Sequence, residues 1–284
     1  MYTNGFTINT NMASLLVQRN LQTATDDMTV LMEHLSTNMK VNRSSDNPSG
    51  MALSEKLRTQ ISSIAVAKTN SQTGVSMLQT ADGDLTSIQT NLATMQSLIL
   101  QAKTGTITQA QRDALNATYQ TAMSEITRIA SSSNYSGIKL LDGTNSGAGS
   151  IVFQVDINNN ADNKIDASDN FTSATAASLG IDATDISSIV NATAAETLVQ
   201  AAYDNIAIQK AKVGGSVTRL NSNITRLDVK TENLESSDAL IRDTDVAADT
   251  ALLTTKQIMQ QTAASLLQQA NQSASLILTL ISRY

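Results

Sequence analysis

The chain has no cysteine, no tryptophan, one proline and one histidine, and aromatic residues fill only 3% of its 284 positions. Each shortage excludes something. Without cysteine there is no disulfide framework and no thiolate metal site. That composition also suits export of an unfolded chain, where free thiols would be a hazard. With His34 as the lone histidine, an H-E-x-x-H zinc helix cannot form, and no G-x-S-x-G elbow is present for a serine hydrolase. A single proline, Pro48, permits very long helices, because proline removes a helix hydrogen bond and clashes with the preceding turn. No apolar run reaches 18 residues, so no segment reads as a membrane span. Charged residues make up 15%, with a net charge of −6. No basic patch is visible, so no nucleic-acid partner is expected. The first eleven residues are polar and the first basic residue is Arg19, which does not read as a signal peptide. If the protein is extracellular, its expected route out involves no cleaved signal.

What the chain does have is apolar periodicity. Val17, Leu21, Ala24, Met28, Leu31 and Leu35 step by 4, 3, 4, 3, 4. Ala263, Leu267, Ala270, Ala274, Ile277 and Ile281 repeat the same steps. A stripe at that spacing lies on one helix face and requires a partner helix. The two terminal helices can pair with each other. Neither end has a core of its own, so these seams are expected to be completed by other copies of the chain, not from within.

Between the ends lie longer patterns. Leu57, Ile64, Ser71, Leu78, Leu85, Leu92 and Ile99 recur every seven residues, with Ile61, Val75, Ile88 and Met95 broadening the face. At ~1.5 Å per residue this stripe predicts a rod of roughly 65 Å. Gly74 and Gly83 each weaken it by about 1 kcal/mol relative to alanine, and Asp82-Gly83-Asp84 is a candidate kink. A second helix carries Leu115, Tyr119, Ala122, Ile126 and Ile129 and is expected to fold back after a turn at 103–108. Val199, Ile206, Val213, Leu220, Leu227 and Leu234 predict another long rod, ending in a polar break at 236–245. Near the middle the period changes. Residues 137–143 and 151–156 read as two strands of one hairpin, and 158–178 reads as a polar, weakly ordered excursion. The fold class is therefore mainly α: an elongated, coiled-coil-like helical bundle with paired terminal helices and a small β-hairpin region.

Some residues have both a chemical and a bland reading. Asp156 to Asp169 alternates carboxylates and amides, like a calcium loop. The EF-hand pattern needs glycine at position six and a glutamate at twelve; Ala161 and Ala167 stand there, so a solvated loop is expected. His34 reads as a surface or interface residue. Arg43, Asp46 and Asn47, in the loop-forming run VNRSSDNPSG, are either a simple turn or an inter-subunit polar contact. No catalytic residue, metal ligand or cofactor-binding residue is assigned, and the chain is not expected to be an enzyme.

Four stretches resemble the bacterial flagellins: INTNMASLLVQRNL (8–21), LSTNMKVNRSSDNPSGMALSEKLRTQI (35–61), NYSGIKLLDG (134–143) and AASLLQQANQSASLILTLI (263–281). They occur in the family's order and cover nearly everything but about 144–190. The resemblance implies a short, near-minimal flagellin, the structural subunit of an extracellular filament turned by a rotary motor for motility. It implies inner-tube helices at 1–41 and 238–284, rod segments at 42–143 and 193–237, and a short variable surface at 144–192. The implied partners are the chain itself as a helical homopolymer, an export apparatus, a secretion chaperone, and the filament cap and hook-junction proteins. Some flagellins carry LQRVRELAVQ on the first rod, a contact for an innate immune receptor of the Toll-like class. Here Leu92 and Leu98 are kept, Thr94 and Gln96 replace the two arginines and Ser97 the acid, which implies weak contact. A related hook–filament junction protein is the nearest alternative, leaning on SSDNPSG. A hydrolase on a helical scaffold is the alternative of another class, and no acid–base set supports it.

Overall fold

The computed structural model describes residues 10–147, 149–158 and 160–281, and for 274–281 the backbone alone. Five helices carry most of it: α1 (Met12–Thr37), α2 (Pro48–Ala102), α3 (Gln109–Ser132), α4 (Ile189–Arg242) and α5 (Val246–Ile281). Four short strands lie between α3 and α4: β1 (Asn134–Tyr135), β2 (Ile138–Lys139), β3 (Val152–Gln154) and β4 (Lys164–Asp166). The chain divides into two compact units. One comprises residues up to Thr59 together with those from Leu234 onward; the other is Gln60–Asn233. Both divisions fall inside helices, whereas the sequence placed its boundaries in or near the polar breaks at 41/42 and 237/238.

In the Gln60–Asn233 unit the heptad stripe of α2 is the buried stripe. Leu78, Leu85, Ile88, Leu92, Met95 and Ile99 have no exposed surface. Val199, Ile206, Val213, Leu220 and Leu227 of α4 are buried as well. Polar pairs fix α4 antiparallel to α2: Lys103 Nζ to Glu196 at 2.5 Å, Gln96 to Gln200 at 2.9 Å and Lys68 to Asp228 at 2.6 Å. Helix α3 folds back along α2, as its spacing predicted, with Tyr119, Ala122 and Ile126 buried. It opens on a capping box, in which the Thr108 hydroxyl accepts from the Gln111 N–H and the Gln111 side chain accepts from the Thr108 N–H. Arg112 seals the turn by donating from Nε to the Ala102 carbonyl at 3.0 Å, one of the orphan acceptors at the end of α2. α2 runs as one uninterrupted helix from Pro48 to Ala102, through Gly74 and Gly83.

The single expected hairpin becomes two. β1 pairs antiparallel with β2, and β3 with β4. Ser136 and Gly137, at φ of 52° and 87°, form the two-residue turn of the first. Both central residues have positive φ, as a tight hairpin turn matching strand twist requires. Gly137 is therefore a turn residue and not the start of a strand. The stretch read as weakly ordered is also packed: Ile165, Ala167, Phe171, Ala174 and Ala176 are all buried.

The device that holds it is a polar rail on α4. Gln209, Ser216, Asn223 and Lys230 recur every seven residues, and each grips the excursion or its root. Gln209 Nε2 donates to the Asn170 and Thr172 carbonyls, both at 3.0 Å. Asn170 Nδ2 donates to the Ser216 hydroxyl at 2.9 Å. Asn223 Nδ2 donates to the Val155 carbonyl at 3.0 Å and to the Ser71 hydroxyl at 3.2 Å. Lys230 Nζ and Arg226 Nη1 meet the Asp156 carboxylate at 2.9 and 3.0 Å. Asp156 is thus not part of a solvated loop. Its side chain is 8% exposed, and buried charges persist where they are paired. Desolvation pushes its carboxyl up, but hydrogen bonds from Lys230, the Ile157 N–H and Arg226 outweigh it and hold the pKa at about 2.

Candidate assembly surface

Helix α1 begins at Met12, where Asn11 caps it: the Asn11 side chain accepts from the Ser14 N–H at 3.0 Å. Residues 8 and 9 lie outside the described residues. The helix ends at Asn38, in the left-handed region at φ 58°, a conformation asparagine tolerates better than most residues.

Helices α1 and α5 lie antiparallel against each other. Asn11 Nδ2 donates to the Ala270 carbonyl at 2.9 Å, Gln260 Nε2 to the Thr25 hydroxyl at 3.3 Å, and Lys256 Nζ to Asp27 at 2.7 Å. His34 Nδ1 lies 3.6 Å from the Asp249 carboxylate. Beyond it, Met39 bridges to Asp243, and the Lys40 N–H donates to the Arg242 carbonyl at 2.6 Å. The lone histidine is an interface residue of the helix pair.

The N-terminal seam lies in this contact. Ala24 and Leu31 are buried, and Val17, Leu21, Met28 and Leu35 are half-buried. On α5, Ala263, Leu267 and Ala270 are half-buried in phase with them; Ala274, Ile277 and Ile281 lie outside the described side chains. The expectation that the seams are completed from outside therefore needs correction over the described part. A stripe repeating every 3.5 residues zips onto a matching stripe, and the matching stripe belongs to the same chain. Toward the helix start the α5 stripe continues through Gln260, Lys256, Leu253 and Asp249, all half-buried. A search for apolar repeats misses this half, because three of its four members are polar.

The surface left open is the flanks of the pair. Met12, Leu15, Leu16, Val30 and Met32 on α1, and Leu252, Ile258, Met259 and Leu266 on α5, are exposed. Val17, Asn20, Ile258, Met259, Thr262, Ala263 and Leu266 line a groove of about 250 Å³ along the pair. Large apolar residues at this density, on helices that retain an exposed flank, mark an interaction surface.

The connector residues have partners within the chain. Asp46 Oδ2 accepts from the Arg43 and Asn42 N–H groups at 2.8 and 3.1 Å. Those backbone donors, Arg43 first, hold its carboxyl below the ordinary range against a small desolvation. Asn47 Oδ1 accepts from the Gly50 N–H at 2.9 Å, capping α2, and Arg43 pairs with Glu33 at 2.9 Å. The turn is built locally, and the Arg43 side chain stays 69% exposed. In the receptor-patch equivalent, Leu92 and Leu98 are buried in the core and are not surface residues, correcting the expected patch. Thr94 is exposed, and Gln96 is bonded to Gln200. The stripe at 85, 92 and 99 already placed Leu92 inside.

No described helix is long and apolar enough to cross a membrane. The family model of the bacterial flagellin N-terminal helical region matches residues 8–146, and that of the C-terminal helical region matches 196–281. The chain is 31% identical to a flagellin of Halalkalibacterium halodurans, over 96% of this chain and 99% of the relative. It is 32% identical to a flagellar filament 30.7 kDa core protein of Treponema maltophilum, over 97% and 99%. A flagellin of Listeria monocytogenes is 30% identical over 96% and 99%. Among solved structures, a Bacillus cereus flagellin covers 56% of this chain and is itself covered to 88%, at 26% identity and a TM-score of 0.48. Two family models in chain order and relatives aligned nearly end to end place this chain in the bacterial flagellin family.

Proposed function

We propose that this chain is the repeating structural subunit of an extracellular flagellar filament, self-associating through its terminal helix pair. The observation that carries this reading is the apolar flank left open along α1 and α5, in a family whose named relatives include filament core proteins. A contact between two different patches of the same chain propagates head to tail, and gives an open helix where the rotation between neighbours does not close into a ring. In this reading 1–41 and 238–284 line the inner tube, 42–143 and 193–237 form the next shell, and 144–192 faces outward. The pair is only partly buried, so its helices reach full stability when neighbours cover their flanks. Arg43, exposed beside its partner Glu33, serves with Asp46 and Asn47 as a contact between neighbouring subunits. Motor-driven rotation of the filament is the motile function. The export apparatus, a secretion chaperone, the cap and the hook-junction proteins are the partners that such a subunit meets on its way to the filament tip. With Thr94 and Gln96 in place of arginines, contact with a Toll-like receptor is weak.

The test is polymerisation of purified protein on short filament seeds, read by negative-stain microscopy and sedimentation. The full chain grows filaments, and chains lacking 1–37 or 246–284 do not, while their remaining helices stay folded by circular dichroism. Normal filaments from either truncated chain would contradict an assembly role for the pair.

A further inference from the structure

The described methionines differ in exposure. Met77 and Met95 are buried in the Gln60–Asn233 unit, Met28, Met39, Met51 and Met123 are half-buried, and Met12, Met32 and Met259 are 67%, 49% and 51% exposed on α1 and α5. Met259 lines the groove with Val17, Ile258 and Leu266. Met12 sits on the exposed flank of α1 beside Leu15 and Leu16. Among the described residues, the three most exposed methionines are therefore on the two helices whose flanks must lose water on assembly.

We propose that Met12, Met32 and Met259 form an oxidation-sensitive modification site that switches the subunit's competence to polymerise. The inference rests on the assembly reading above. The chemistry is a two-electron oxygen transfer from a hydroperoxide. A sulfur lone pair attacks the distal peroxide oxygen and the O–O bond breaks. The distal oxygen transfers to sulfur as a hydroxyl, its proton passes to the departing oxygen, and the products are a sulfoxide and water or an alcohol. The product replaces a flexible apolar tip with a strongly dipolar S=O group. An apolar flank carrying that group must bury an unsatisfied acceptor to pack against a neighbour, which is unfavourable. Met77 and Met95 are shielded, so oxidation acts on the association surface while the rest of the fold is kept. Once a subunit is docked, the same packing that uses the flanks covers the thioethers. The free subunit is thus the sensitive form and the filament the protected one. Sulfoxide reduction reverses the change.

The experiment treats full-length monomer with hydrogen peroxide, maps the oxidised methionines by peptide mass spectrometry, and then measures seeded filament growth. Oxygen is expected first on Met12, Met32 and Met259, with Met77 and Met95 last. The oxidised protein should require at least about tenfold more subunit for growth, the scale of one or two buried unsatisfied groups. Methionine sulfoxide reductases with dithiothreitol should restore growth, and a Met12→Leu, Met32→Leu, Met259→Leu variant should be indifferent to peroxide. Equal growth of oxidised and untreated protein overturns the switch while leaving the assembly reading intact. So does a loss of growth that the reductases do not reverse. No growth from untreated protein overturns the assembly reading, and the switch with it. If the triple variant itself grows poorly, the reductase arm on wild-type protein alone decides.

Discussion

The two units use the same heptad grammar with different outcomes. In Gln60–Asn233 the stripe of α2 meets α4, α3 and the β excursion, and six large side chains between Leu78 and Ile99 lose all their exposed surface. In the terminal unit the α1 stripe meets the single helix α5, and only Ala24 and Leu31 of α1 become buried. A helix covered on one side retains an apolar flank and a shallow seam; one covered on several sides has a core. The burial pattern teaches that the Gln60–Asn233 unit encloses its stripe within the chain, whereas the terminal pair leaves apolar flanks uncovered.

The largest expected effect comes from cutting into the finished core. Leu85→Ala should cost about 3–5 kcal/mol, since a fully enclosed leucine leaves a cavity that cannot collapse. A urea melt of the monomer measures it directly. Leu31→Ala, its counterpart in the pair, should leave the main melting transition nearly unmoved, and raise the subunit concentration needed for filament growth. Equal shifts in the monomer melt would erase the contrast between the units.

Next is the salt-bridged anchor of the excursion. Asp156→Asn should cost about 2 kcal/mol at neutral pH, because Arg226 and Lys230 lose their shared carboxylate. The sign follows from its lowered folded-state pKa of about 2. The contribution is complete above the unfolded carboxyl value, near pH 4, and fades as the pH falls toward 2. The gap between wild type and variant should therefore be full at pH 7, about half as large at pH 3 and nearly closed at pH 2. A gap that persists unchanged at pH 2 would locate the cost in packing instead of charge.

The pair's own ion bridge is worth less. Lys256→Ala, removing the 2.7 Å contact to the partly exposed Asp27, should cost under about 1 kcal/mol, read as a small rise in the concentration needed for filament growth at low salt and none at high salt. The last effect is a gain of similar size. A Cβ at Gly83 would meet nothing within 4 Å, so Gly83→Ala should stabilise α2 by about 1 kcal/mol. At Gly74 the same change would press to 3.1 Å against Leu220 and Phe153, and the gain should vanish.

Most of the helical frame was legible because a heptad stripe is a local signal. Leu57 to Ile99 and Val199 to Leu227 were found as stripes, and most of their members proved buried. What escaped were polar residues at stripe positions. Gln209, Ser216, Asn223 and Lys230 repeat as regularly as the leucines. Their partners are backbone carbonyls, a serine, an asparagine and an aspartate far away in sequence, so no local pattern announces them. Gln260, Lys256 and Asp249 escaped for the same reason, and with them the intrachain half of the seam. The two hairpins were read as one because Ser136-Gly137 makes a turn of two residues, too short to separate two predicted strands. The helix end at Arg242 lies past the serines at 236–237, whose low helix preference was outweighed by the continuing helix.

On the assembly reading the terminal pair depends on neighbours and the Gln60–Asn233 unit does not. Amide hydrogen exchange, followed by mass spectrometry on dilute monomer and on assembled filament, tests it most directly. The account predicts slow exchange across 78–102 and 192–227 in both states, and exchange across 12–37 and 246–273 that is fast in the monomer and slow in the filament. Equal, strong protection of both regions in the dilute monomer would contradict it.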